Sequence, residues 1–292
     1  MTNEQAAATE AAQVENAQVG NARVANTPYE PAERERLERD AKEIIARYPK
    51  PRSALLPMLH LVQAVDGYVS QRGIRFCAET LDITPAQVTG VATFYTMYKR
   101  EPVGEYHVGV CINTLCAIMG GDQIWSEVSE HLGIGHDEAT PDGAVSLERI
   151  ECNAACDFAP VMTVNWELFD DMTPAKAKEL VDDLRASKAG QSGKQVLPSR
   201  GPSSMCSWKD ASRVLAGFPD GRAHEGVQAG PRSLVGLELA KQRGWEAPAT
   251  EADRDRPHEP VRPGEVTDPP PNEPGKPIGG SVKPGSQEGR NQ

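Results

Sequence analysis

Of the six cysteines in this 292-residue chain, four fall in two close pairs: Cys111-x4-Cys116, then 35 residues, then Cys152-x3-Cys156. If the four thiols act as one set, any fold must bring two distant loops together at one end of a domain. Four thiolates can hold a metal ion or an iron–sulfur cluster. The flanking residues suit the cluster. Asn113, Thr114, Ala117 and Gly120-Gly121 surround the first pair, and Asn153, Ala154 and Ala155 fill the second. Small residues let backbone N–H groups turn toward sulfur, which carries negative charge and accepts hydrogen bonds.

Spacing alone leaves alternatives open. Zinc pairs are commonly separated by ~12–20 residues, so the 35-residue insert fits a zinc site poorly without excluding it. Two structural disulfides are a further alternative. A Cys-x-x-Cys pair is absent, which argues against dithiol redox chemistry. The first 27 residues lack the basic and apolar regions of a secretory signal and are too acidic for a mitochondrial transit peptide. No stretch approaches the ~20 apolar residues of a membrane span. A cytosolic protein is therefore expected, and in a reducing compartment clustered cysteines more often bind metal than form disulfides.

The rest of the chain reads as two folded regions between tails. Residues 1–28 read as a disordered leader. Pro31 opens a helix with Leu37, Ala41, Ile44, Ile45 and Tyr48 along one face, ended by Pro49 and Pro51. Ser53, Ser70 and Thr84-Pro85 each predict a further helix start. Their inner faces carry Leu55, Leu56, Leu59 and Val62; Ile74, Cys77, Ala78 and Leu81; and Val88, Val91 and Tyr95. Residues 29–101 are thus expected to form a helical bundle.

The pattern changes over residues 102–187. Tyr106–Val110 and Val145–Ile150 read as strands, each running directly into a cysteine pair. A helix is expected from about Gly121 to Leu132, a third strand at Val161–Asn165, a fourth around Leu168-Phe169, and a last helix from Thr173-Pro174. This β-α-β-β-β-α order predicts an α/β fold with a thioredoxin-like arrangement. Residues 188–250 are expected to be extended and sparsely structured. Residues 251–292, with nine prolines and six glycines, read as a disordered tail. These flanking segments account for a hydrophobic content of only 38%. A net charge of −11 argues against nucleic acid or direct insertion at an anionic membrane as a partner.

The runs Val110-Cys111-Ile112-Asn113-Thr114-Leu115-Cys116 and Glu151-Cys152-Asn153-Ala154-Ala155-Cys156-Asp157-Phe158-Ala159-Pro160, followed by Val161–Asn165, resemble one family. It is the 24-kilodalton-type, or E-type, subunit of NADH-quinone oxidoreductase, respiratory complex I. Ser53–Pro57, Gly67–Ser70, Val91–Tyr95, Thr140–Gly143 and Met172–Pro174 are similar to it too. The likeness spans about residues 33–187. It implies a helical bundle followed by a thioredoxin-like [2Fe-2S] ferredoxin domain, with one cluster on Cys111, Cys116, Cys152 and Cys156. It also implies an electron-transfer role beside a partner that binds FMN and NADH, among other peripheral-arm iron–sulfur subunits at the inner face of the plasma membrane. The chain would then serve an oxidoreductase without an NADH or flavin site of its own, and it lacks the G-x-G-x-x-G loop of dinucleotide binding. The same module implies, as alternatives, a diaphorase subunit of an NAD-linked hydrogenase or formate dehydrogenase. From another class, a structural zinc adaptor remains. One departure is Ala154, where the family usually has glycine.

Cys77 and Cys206 have no close partner cysteine and read as bystanders. His107 reads as a packed strand histidine that could instead tune the cluster. Phe94, Tyr95 and Tyr98 form an aromatic group that could face a partner subunit but reads first as core of the bundle.

Overall fold

The computed structural model describes residues 27–190, 195–225 and 231–245. The expected leader and tail fall largely outside the described residues.

Local sequence explains the bundle. Helices α1 (Pro31–Ile45), α2 (Leu55–Asp66), α3 (Gln71–Leu81) and α4 (Pro85–Phe94) follow one another by short turns. Ser70 caps α3 by accepting the Gly73 N–H at 3.1 Å. Thr84 and Gln87 form a reciprocal capping box behind Pro85 at the start of α4. Gly67, at φ +82°, ends α2 in the left-handed conformation that glycine adopts without steric cost. Leu37, Ala41, Ile44, Leu59, Val62, Ile74, Cys77 and Val88 share one core. Tyr98 is buried with them, but Tyr95 is partly exposed and Phe94 is 77% exposed, so the expected aromatic core is one tyrosine.

Among the described residues, strands β1 (Tyr106–Cys111), β2 (Glu138–Ala139), β3 (Val145–Ile150), β4 (Met162–Val164) and β5 (Glu167–Phe169) form one sheet in the order β2-β3-β1-β4-β5. Only the β1–β3 pair is parallel, with Tyr106 opposite Val145 and Cys111 opposite Ile150. Strand alternation gives the sheet two unlike faces. Val108, Val110, Val145, Leu147, Met162 and Val164 pack against helices α6 (Gly121–Leu132) and α7 (Pro174–Lys188) through Ile124, Val128, Leu132, Ala177, Val181 and Leu184. The opposite face carries His107, Ser146, Glu148, Thr163 and Asn165, all buried. The fold is the expected α/β thioredoxin-like ferredoxin arrangement behind a helical bundle.

The stretch expected to be extended and sparsely structured differs. It holds helix α8 (Trp208–Leu215), which lies on α2. Gln63 Nε2 donates to Ser212 Oγ at 3.3 Å, Lys209 Nζ to the Val65 carbonyl at 2.8 Å, and Arg213 pairs with Asp40 at 2.8 Å. Trp208 is 1% exposed and stacks beside His107 at 5.0 Å between ring centres. The few apolar residues of this segment cannot build a core alone, but they complete one at the seam of two others. This unit runs to Leu237; a second begins at Glu238, near the end of helix α9 (Pro231–Gln242).

Candidate metal centre

Both cysteine pairs occupy the ends of adjacent parallel strands. Cys111 is the last residue of β1, and Cys152 follows shortly after Ile150, the last of β3 and the register partner of Cys111. The loops that leave parallel neighbours at the same edge must meet there. The first loop contains a short helix, α5 (Thr114–Ile118), that strand and loop patterning did not anticipate; it carries Cys116. Cys156 opens a 3₁₀ turn, Cys156–Phe158. The four cysteines line one small cavity with Ile150, Asn153, Ala155 and Val161. Cys111 and Cys116 are buried, Cys156 is half-buried and Cys152 is exposed.

The second pair is joined by hydrogen bonds. The Ala154 N–H donates to the Cys152 sulfur at 3.3 Å, and the Cys152 and Cys156 sulfurs are in contact at 3.3 Å. In this loop Ala154 stands at φ +56°, in the left-handed region that glycine adopts more cheaply.

Close approach of α6 completes the housing. A Cβ on Gly121 would fall 2.6 Å from the Cys111 carbonyl oxygen and 2.9 Å from that of Cys116, so only glycine fits. Cys111, Cys116, Ile150, Ala155, Ala159 and Val161 form an apolar cluster that shields the buried side. Burial, opposed by the Asn113 N–H and reinforced by the neighbouring Cys116 and Cys152, pushes the Cys111 thiol up to about 11. Contact with Cys152 raises that of Cys156. By donor type the four cysteines suit iron or zinc, although among the described residues no three potential ligands already stand at metal-holding spacing.

The other weighed residues lie apart. Cys77 is buried in the bundle with its Sγ 3.7 Å from the Met58 carbonyl oxygen. Cys206 is half-buried beside α8. His107 is packed between Trp166 and Trp208 with its Nε2 3.0 Å from Glu148 Oε2; Lys99 Nζ lies 2.6 Å from the other oxygen of Glu148. Burial opposes the Glu148 charge, but His107 and Lys99 outweigh it and hold its pKa below the usual carboxylate range. Sequence reasoning missed this buried trio. The alternation of Val145–Ile150 puts Glu148 on the polar side of the strand with Ser146 and so gave no sign of its burial.

Residues 41–185 match the thioredoxin-like [2Fe-2S] ferredoxin family. The chain is 56% identical over 224 residues to the E-type subunit of NADH-quinone oxidoreductase from Mycobacterium tuberculosis, covering 76% of this chain and 86% of that protein. It is 39% identical over 150 residues to NADH-quinone oxidoreductase subunit 2 of Thermus thermophilus, which covers 50% of this chain and 83% of the relative. A mitochondrial NADH dehydrogenase [ubiquinone] flavoprotein 2 of Dictyostelium discoideum is 37% identical over 158 residues, 53% of this chain and 64% of that protein. The 224-residue match is longer than residues 1–188, so it extends into the segment that carries α8.

Proposed function

Because this chain belongs to the family of E-type NADH-quinone oxidoreductase subunits, with their thioredoxin-like [2Fe-2S] ferredoxin fold, we propose that Cys111, Cys116, Cys152 and Cys156 hold one [2Fe-2S] cluster that carries single electrons. The observation that carries this reading is the convergence of the two cysteine pairs on one cavity at the ends of adjacent parallel strands. Cys111 and Cys116 would ligate one iron, and Cys152 and Cys156 the other. When bound, the cluster supplies one-electron redox chemistry.

The chain's own residues do the rest. The Asn113 and Ala154 N–H groups stabilise negative charge on the ligand sulfurs and so favour the reduced state. Ile150, Ala159 and Val161 exclude water from the buried pair. Partner docking has an evident site: Leu115, Ile118 and Met119 are exposed on and just after the helix that carries Cys116, Ile118 by 78%. A partner that binds FMN and NADH and seats on this patch would bring its redox group within electron-transfer reach of the centre. The complex would lie in the cytoplasm, peripheral to the inner face of the plasma membrane, with other iron–sulfur subunits as further partners. Among the described residues no helix is long and apolar enough to cross a membrane.

Anaerobic purification of the full chain tests the reading. Red-brown protein with two irons and two sulfides per chain and a rhombic paramagnetic signal on reduction is the expected result. Colourless protein with one zinc per chain and no sulfide would replace the redox function with a structural one. For the docking patch, Ile118→Glu should weaken co-purification with the flavin-binding partner while leaving the cluster spectrum unchanged.

A further inference from the structure

Residues 199–201 lie beyond the stretch that matches the ferredoxin family, yet they attach to its sheet at the edge nearest the second ligand loop. Arg200 bridges to Leu168 of β5 in antiparallel fashion. The Ser199 N–H donates to the Leu168 carbonyl at 2.8 Å, and Ser199 Oγ accepts the Asp170 N–H at 2.8 Å. This short stub covers a strand edge that would otherwise present unpaired backbone groups. It also aims one side chain at the turn that carries Cys156. The Arg200 guanidinium lies 4.8 Å from the Phe158 ring centre, its two terminal nitrogens lie 3.3 and 3.4 Å from the two Asp157 oxygens, and one of them is 3.0 Å from Asp170.

We propose that Arg200 is a positioning residue for the metal centre, holding the Cys156–Phe158 turn against β5 through Asp157 and Phe158. The inference rests on the reading of the four cysteines as cluster ligands. The guanidinium spans two carboxylates and an aromatic face at once, which a lysine ammonium cannot do. Cys156 immediately precedes Asp157, so the position of its sulfur depends on the grip on the next residue. Arg200 also offsets two carboxylates beside a centre that gains negative charge on reduction.

Two variants of the full chain, reconstituted anaerobically with iron and sulfide, separate these effects. Arg200→Met keeps the stem over Phe158 and removes the charge and the fork; Asp157→Asn removes the carboxylate that the fork grips. Both should lose iron to a chelator about tenfold faster than the parent, at the low end for an outer partner of a metal ligand. Their potentials should move in opposite directions, down for Arg200→Met and up for Asp157→Asn, because one deletes a positive and the other a negative charge. Arg200→Lys should restore the potential and only part of the retention. Parental release rates in both variants, or a lowered melting temperature with unchanged signal and potential, would overturn the proposal. If Arg200→Met does not fold, the release rate of Asp157→Asn decides it alone. A parent chain that binds zinc without sulfide would fail the functional reading itself, a result distinct from variants that match a cluster-bearing parent.

Discussion

Trp208 donates its indole N–H to the Gly67 carbonyl oxygen at 2.7 Å, joining residues 141 positions apart. Gly67 ends helix α2 of the bundle, and the other side of the Trp208 ring lies against His107 of the sheet. One side chain therefore pins the bundle to the domain that carries the cysteines.

Removing it should be costly. Trp208→Ala is expected to lower stability by about 3–5 kcal/mol, as for other buried aromatic truncations. Trp208→Phe keeps most of the packing but strands the Gly67 carbonyl, at about 1–3 kcal/mol. Urea unfolding followed by far-UV circular dichroism measures both. A Trp208→Ala midpoint within error of the parent would show that α8 is not part of the cooperative unit.

Ala154 offers a change in the other direction. A non-glycine residue in the left-handed region costs about 1–2 kcal/mol, of which glycine recovers part after its own entropy loss. Ala154→Gly should stabilise the loaded protein by about 0.5–1 kcal/mol without altering its spectrum. Thermal unfolding of the two proteins side by side gives the answer.

Gly121→Ala should do the reverse. The added methyl group would sit 2.6 Å from the Cys111 carbonyl oxygen, so the ligand loop or α6 must shift. Overpacking of this kind costs about 1–3 kcal/mol. A reduced iron content per chain together with a lower melting temperature is the expected pair of observations.

Single cysteine variants divide the six thiols into two classes. Cys116→Ser and Cys156→Ser should lose the visible absorption of the cluster, whereas Cys77→Ser and Cys206→Ser should retain it. Absorption normalised to protein concentration suffices. Full colour in Cys156→Ser would remove that residue from the ligand set.

His60 sets a pH dependence of folding. Burial lowers its pKa from the ordinary 6.5 to about 4, so it is neutral in the folded chain at pH values where the unfolded chain has already protonated it. Proton uptake by the unfolded state then erodes stability as pH falls from about 6.5 to about 4, by up to about 1.4 kcal/mol per pH unit. His60→Phe should flatten that part of the profile in urea titrations. An unchanged slope would assign it to other groups, such as His107, whose burial also lowers its pKa from the ordinary 6.5.

Much of the fold was legible because its signals are local. Ser70, Thr84-Pro85 and Thr173-Pro174 mark helix starts within three residues of themselves, and all three start helices where expected. The alternation of Val145–Ile150 and the strand before Cys111 placed both cysteine pairs at strand ends. Helix α5 escaped notice because five residues show less than two turns of periodicity. The exposure of Phe94 escaped because a helix end looks the same in sequence whether or not a neighbour covers it.

By itself the sequence determined which elements present the two cysteine pairs, since thiol spacing, caps and alternation are written in short windows. Only the tertiary structure decided that Ser199, Arg200 and helix α8 belong to the folded body. Trp208 is buried because α2 and β1 leave a place between them, and Arg200 meets Asp157 and Asp170 because β5 has a free edge beside them. Those surfaces arise from residues 30 to 141 positions away, so no local periodicity could record them.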